Sequence, residues 1–299
     1  METTINNLWW PRLRVADWTE TRDTLHMWTQ IVGKIRMAYM PSVNHWWHVT
    51  LYPTARGLTT SAVPYERGVF DIEFDFVDEL LRVRTSDGGS RDVVLEPKPV
   101  ATFYRETLEA LAALGLRPGI HPVPNEVELA IPFAENDRNC SYDAEAARLF
   151  WRQLLQAERV MSRFRSEFVG KASPVHFFWG AMDLAYTRFS GRVAPQHPGG
   201  VPNCPPSVMH EGYSHELASF GFWPGGGEEG AFYAYAYPEP PGYRERTEAY
   251  YDKTLQECVL PYEKVAESAD PDAALLEFLR ATYGAAADLA AWDRSAVEA

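Results

Sequence analysis

Near the start of the chain apolar residues recur at Trp18, Leu25, Trp28, Ile31, Val32 and Ile35, spacings that place them on one face of a helix. Asp17 stands where a helix cap is expected and Pro41 where the helix must end. The period then changes. Residues 44–52 are rich in aromatic and β-branched side chains and read as a strand. Phe70-Asp71-Ile72-Glu73-Phe74-Asp75-Phe76 alternates strictly, so its apolar and acidic residues must lie on opposite faces of a strand. Residues 80–85 and 93–95, joined by Ser86-Asp87-Gly88-Gly89, form a predicted hairpin, and 103–114 a helix stopped by Gly115.

Pro118, Pro122, Pro124 and Pro132 interrupt the pattern, and after them it starts over. Ala147, Phe150, Trp151, Leu154, Leu155, Phe164 and Phe168 mark a helix over 143–168, which leads through Pro174 into Val175-His176-Phe177-Phe178-Trp179-Gly180. A Pro/Gly-rich loop at 194–206, strands at 217–223 and 232–237, and a final helix from 267 follow. Val43-Asn44-His45-Trp46-Trp47 aligns with Pro174-Val175-His176-Phe177-Phe178, and the turn carrying Arg56 with the one carrying Arg188. The expected fold class is therefore α+β: two pseudo-repeated helix-plus-antiparallel-sheet halves forming one compact unit, with residues 1–120 as the first half, 121–142 as a Pro-rich connection and 143–299 as the second half. The cleft between the halves is the natural ligand site.

Composition narrows the partners. Lys+Arg 28 against Asp+Glu 41 leaves a net charge of −13, which repels a phosphate backbone and argues against nucleic acid. No basic run suggests an electrostatic membrane anchor, and no apolar stretch approaches the about 18 residues of a spanning helix. The opening stretch to Pro11 lacks the pattern of a secretory leader. Cys140, Cys204 and Cys258 are far apart without CxxC, which points to reduced thiols in a cytoplasmic protein.

The candidate chemistry centres on histidine. His45 and His48 are three apart, so one strand would aim them at opposite faces; His45, the counterpart of His176, is preferred. His210-Glu211-Gly212-Tyr213-Ser214-His215-Glu216 resembles a zinc-protease motif, but its second histidine comes one residue late for one helical face. His215 is preferred there as ligand or base, with Glu216 as runner-up. Two schemes follow. In one, His45, His176 and His215, with Glu216 or Asp183 as carboxylate, ligate iron or zinc. In the other no metal is needed, and His176 or His215 acts as general base, oriented by Asp183 or Glu216. The catalytic candidates are thus His176, His215 and Glu216.

Arg56 and Arg188 could clamp an anionic substrate, or instead fix a turn carbonyl or a helix end. Trp179 and Tyr235 are the candidate aromatic walls, Tyr235 sharing a strand face with Tyr233 and Tyr237 that could also form a dimer surface, so an oligomer is an open expectation. The row Asp71, Glu73 and Asp75 reads as a solvated sheet face in preference to a cation site. No G-x-S-x-G elbow occurs.

Trp28-Thr29-Gln30-Ile31-Val32-Gly33-Lys34, Asn44-His45-Trp46-Trp47, Thr54-Ala55-Arg56-Gly57, Ser173-Pro174-Val175-His176-Phe177-Phe178-Trp179-Gly180, Tyr213-Ser214-His215-Glu216 and Gly221-Phe222-Trp223-Pro224-Gly225 together resemble bacterial domain of unknown function family 5996 over nearly the whole chain. The resemblance implies a single full-length unit with His26, His45, His176, His215 and Glu216 at family-motif positions, and no known activity. The functional expectation is an enzyme acting on a small polar or anionic metabolite at a His/carboxylate site between the halves. The alternative is a small-molecule-binding or regulatory protein without catalysis. Because His215 aligns with Val69, the second half is expected to carry most of the active groups.

Overall fold

The structure, a computed structural model, describes residues 9–66 and 68–299. Most of the opening stretch that lacks a leader pattern therefore lies outside the described residues. The first apolar stripe becomes α1 (Val15–Tyr39), and its middle turns, from Met27 to Arg36, are buried all round. Arg14 holds the cap position; Asp17 sits instead in the first turn, where the helix dipole favours a carboxylate.

The strand expected over 44–52 does not form as one element. Asn44–Trp46 is a 3-10 turn in which His45 (φ 58°) and Trp46 (φ 61°) adopt left-handed backbone, and pairing begins only at Leu51. Aromatic richness in that run reports burial, not extension, and histidine tolerates the left-handed region better than most residues.

The first sheet comprises β1 (Tyr52–Pro53), β2 (Gly57–Thr59), β3 (Val63–Tyr65), β4 (Gly68–Asp75), β5 (Leu80–Thr85) and β6 (Ser90–Val94). Its order is β1-β2-β4-β5-β6, with β3 also pairing β4. Helix α2 (Val100–Ala113) closes the half: Phe103 stacks on Trp28 of α1 (4.4 Å) and on Phe74 of β4 (6.3 Å). Truncating such a buried ring costs about 3–5 kcal/mol.

After the connection, α3 (Ala144–Arg165) is capped by Asp143, which accepts from the Glu145 and Ala146 amides. Then come β7 (His176–Phe178), β8 (Asp183–Val193), α4 (Pro206–Gly212), β9 (His215–Trp223), β10 (Ala231–Tyr237), α5 (Tyr243–Arg246), β11 (Tyr251–Asp252), β12 (Glu257–Pro261), α6 (Tyr262–Ala266), α7 (Pro271–Leu289) and α8 (Arg294–Val297). The second sheet runs β11-β12-β10-β9-β8-β7. Strand β8 escapes the sequence pattern because Asp183 to Arg188 lies between two neighbouring strands with nearly every side chain buried, so no alternation marks it.

The fold is α+β with two six-stranded antiparallel sheets, and the halves fit a pseudo-repeat. They meet edge to edge: Leu51 and Phe177 exchange both backbone hydrogen bonds (2.9 and 2.8 Å). Such a pair has a local two-fold through its centre. Counting outward from it by equal steps matches His176 with Thr50 and His45 with Lys171, and each pair is in contact, at 3.1 and 2.9 Å. The alignment of His45 with His176 is therefore shifted, because His45 belongs to the turn before the strand. Among the described residues no helix is long and apolar enough to cross a membrane.

Candidate functional site

The structure brings two of the three singled-out histidines together. His45 is buried, its Nδ1 donating to the Gly212 carbonyl (3.1 Å) and its Nε2 accepting from Lys171 Nζ (2.9 Å). The His215 ring stands edge-on 5.9 Å away, its Nδ1 3.0 Å from Ser214 Oγ. His176 lies apart at the two-fold, with Nδ1 on Thr50 Oγ1 (3.1 Å) and its ring against Phe178 (4.7 Å). Burial first, and then nearby Arg36, push its basicity down to about 3, so it is neutral at physiological pH. With both His45 nitrogens engaged and His176 elsewhere, these three do not converge on one ion. Among the described residues no group of three or more His, Cys, Asp or Glu side chains is placed to hold a metal.

The other candidates are tied to the framework. Glu216 accepts from Ser190 Oγ (2.9 Å) and Arg192 Nε (2.8 Å). Arg56 pairs with Asp75 (2.6 Å) and Asp78 (2.7 Å) beside its turn. Arg188 is buried, donates to the Phe164 carbonyl at the end of α3 and to Tyr186 Oη (3.1 Å), and lies on the ring of Phe164 (3.6 Å). The Arg188 guanidinium is thus buried within the framework, whereas that of Arg56 is ion-paired at the surface.

The cavity at the junction of the halves has other owners. It measures about 370 Å³ and is lined by Lys34 and Met37 of α1, Trp46 and Val49, Asn125 and Glu126 of the connection, Phe178 to Gly180, and Cys204 and Val208. Two glycines make it possible. A Cβ on Gly33 would strike the Trp179 indole, which lies flat on α1 and donates Nε1–H to the Val49 carbonyl (2.8 Å). A Cβ on Gly180 would strike the Glu126 carboxylate. Gln30, one helical turn before Lys34, clamps Asn125 by giving Nε2–H to its carbonyl (2.7 Å) and accepting its amide (2.8 Å). Asn125 Oδ1 in turn accepts from Lys34 Nζ, which stands 5.5 Å from the centre of the Trp179 ring.

Lys34 is 1% exposed and pairs with no carboxylate among the described residues. Burial lowers its basicity to about 8. Glu126 is exposed overall, but its carboxylate end rests against buried Gly180; loss of hydration there, then the nearby charge of Asp183, raise it to about 7. A buried amine without a counter-ion and a carboxyl half protonated near neutrality thus face one cavity.

Beyond Glu126 the non-core face of the second sheet, half-buried at Tyr233, Tyr235 and Glu257 and buried at Asp183, carries further polar groups. Tyr233 lies over Gly221, where a Cβ would collide with its ring, and reaches across β9 to donate to Asp183. Tyr235 Oη is 2.7 Å from Tyr213 Oη. Burial raises Asp183 to about 6, and burial together with Asp183 and Asp252 raises Glu257 to about 7.

The chain matches the model of the family described as "Family of unknown function (DUF5996)" over residues 10–299. It belongs to that family. No curated protein and no solved structure matches it.

In this DUF5996 chain, sequence reasoning placed Trp179 on the cavity wall and Tyr235 on the adjoining face, and missed Lys34, Asn125 and Glu126. Lys34 carries a legible signal: with Gln30 and Gly33 it interrupts the run Ile31, Val32, Ile35 on a helix buried all round. Glu126 carries none, because its environment comes from contact with Gly180.

Proposed function

We propose that this DUF5996 member binds a small polar or anionic metabolite in the cavity between its halves and transfers a proton to or from it. Lys34, positioned by Asn125, meets the negative or polar end of the ligand. Trp46, Phe178 and Trp179 cover its apolar body. Glu126 is the general acid or base, since a group that titrates near 7 is suited to both roles. The observation that carries this reading is Lys34 itself. A buried ammonium normally has a counter-ion, and this one has only a neutral amide and an aromatic face on the cavity side.

The test compares two fluorescent probes of similar shape, anionic 8-anilinonaphthalene-1-sulfonate and neutral N-phenyl-1-naphthylamine, with the enhancement of probe fluorescence on binding as readout. Lys34→Met should weaken the anionic probe about ten-fold, equivalent to about 1.4 kcal/mol, and leave the neutral probe nearly unchanged. Equal losses for both probes, or none, would overturn the assignment. Glu126→Gln should keep probe binding, which separates its proton-transfer role from the binding role of Lys34.

A further inference from the structure

A second gathering of basic groups lies outside the cavity, and the acidity of the chain makes it conspicuous. On a protein of net charge −13, Lys171 and His215 each contact the ring of His45, at 2.9 Å to its Nε2 and 5.9 Å between ring centres, with no carboxylate paired to any of the three among the described residues. The nearest acids face elsewhere: Glu216 is taken up by Ser190 and Arg192, and Glu211 acts on His48. Nε2 of His45 accepts one proton of the Lys171 ammonium, and a Lys ammonium has three, so two are left to donate outward. His215 uses Nδ1 with Ser214, which leaves Nε2 on the half-exposed edge of its ring as a further donor. The half-buried ring of Trp47 and the buried ring of Phe189 lie 5.7 and 5.1 Å from Lys171 Nζ, so of the two Trp47 is the one with surface open to a ligand.

The backbone supplies an independent observation. His45 and Trp46 are consecutive non-glycine residues in left-handed conformation, at a cost of order 1–3 kcal/mol each. The distortion sends Trp46 into the cavity and turns the His45 ring the other way, against Gly212 and Lys171. Alternative explanations of the cluster fare worse. A cation is repelled by Lys171, and a metal finds both His45 nitrogens occupied. An ammonium and an imidazole gathered about one histidine ring without a carboxylate suit a doubly charged oxyanion.

We propose that Lys171 and His215, with His45 orienting the lysine, form a second binding site for a phosphate group, presented as free phosphate or as a phosphomonoester whose organic part rests on Trp47. The site is distinct from the cavity and does not depend on the role given to Lys34.

The experiment follows the histidine C2–H resonances of the full chain at pH 7 and constant ionic strength while inorganic phosphate, phenyl phosphate or chloride is added. Saturable shifts of His215 with the phosphates but not with chloride, weakened about ten-fold or more in Lys171→Gln, are expected. Tighter binding of phenyl phosphate than of phosphate identifies an ester as the ligand, and equal binding identifies the free anion. Lys171 is exposed, so Lys171→Gln should fold and keep its cavity probe affinity. Shifts that are linear, shared by chloride or unchanged in Lys171→Gln would overturn the site.

Discussion

The non-core faces of the two sheets carry acidic side chains in comparable places and treat them in opposite ways. On β4, Asp71 and Glu73 meet Arg84 (3.1 and 2.9 Å), while Asp75 meets Arg56 and Arg82 (2.6 and 3.1 Å). Burial opposes ionisation of Asp75, yet hydrogen bonds from Arg56, the Asp78 amide and Arg82 outweigh it and hold the carboxyl at about 2. On the second sheet no cation pairs with Asp183 or Glu257 among the described residues; Tyr233 donates to Asp183, Asp183 and Asp252 act on Glu257, and burial pushes both carboxyls upward. One scaffold has been used twice, as an ion-paired wall and as a surface of uncompensated acids next to a cavity. Groups held in unfavourable protonation states are the ones available to a ligand or a reaction, and they reduce stability while waiting for it.

The comparison makes an asymmetric prediction about neutralising carboxylates. Asp75→Asn can keep Oδ1 as acceptor for the Val77 and Asp78 amides but replaces Oδ2, which accepts from Arg56 and Arg82, with an NH2 donor, so both guanidiniums lose their acceptor and their counter-charge. Breaking a pair at a fully buried carboxylate costs 3–5 kcal/mol, and the partial exposure of both arginines reduces this to about 3 kcal/mol, measurable by urea unfolding at pH 7. Asp75 is depressed on folding, so its contribution is present above the unfolded value of about 3.9 and is lost as pH falls toward about 2. A loss under about 1 kcal/mol would remove the wall from the comparison.

Asp183→Asn should act with the opposite sign. Its carboxyl is raised from 3.8 to about 6, so the folded state holds a proton that the unfolded chain releases. The penalty is absent below about 4, grows as pH rises through 6 and is complete above it. At pH 8 the amide should stabilise the protein by about 1–2 kcal/mol, less than the full shift would allow, because ordering the amide against Tyr233 has its own cost. Below pH 4 the variant should gain nothing. Destabilisation at pH 8 equal to that at pH 4 would mean that Asp183 is a structural acceptor for Tyr233 and not a strained acid. Glu257→Gln should follow the same pH course with a smaller amplitude, under about 1 kcal/mol, since Glu257 is half-buried and solvent screens it.

The strand behind the paired wall was open to sequence reading, but its row of acids was expected as a solvated face. Glu73 and Asp75 are instead buried beneath Arg84, Arg56 and Arg82. The strained surface of the second sheet was not legible at all. Strict alternation from Phe70 to Phe76 announces a strand with its acids on one face, and the matching order of elements announces two halves. What decides the chemistry of the second half is tertiary. Both β4 and β8 are interior strands, but Asp71 and Glu73 stand opposite Arg84 and Arg82 whereas Asp183 stands opposite Phe178, and Tyr233 reaches Asp183 only because Gly221 lacks a side chain. The histidines drew attention as the usual carriers of chemistry near neutral pH, yet His176 is silenced by burial at the two-fold. The turn at His45 defeated a rule that equates aromatic runs with strands, since two left-handed residues cannot be read from composition.

The finest test asks whether the two faces are energetically separate. Among the described residues the Leu51–Phe177 exchange is the one backbone pairing that joins the sheet edges, and Asp75 and Asp183 share no hydrogen-bond partner. Changes at distant sites without common partners add to within about 0.5 kcal/mol. The double variant Asp75→Asn/Asp183→Asn, unfolded in urea at pH 8, should therefore show the loss of the first change reduced by the gain of the second, with that small residue as the only coupling. A coupling above about 1 kcal/mol would show that the paired wall sets the strain of the acidic surface through the joined sheet edges. The halves would then act as one electrostatic unit, and the contrast between them would be a consequence of the junction and not of their separate side chains.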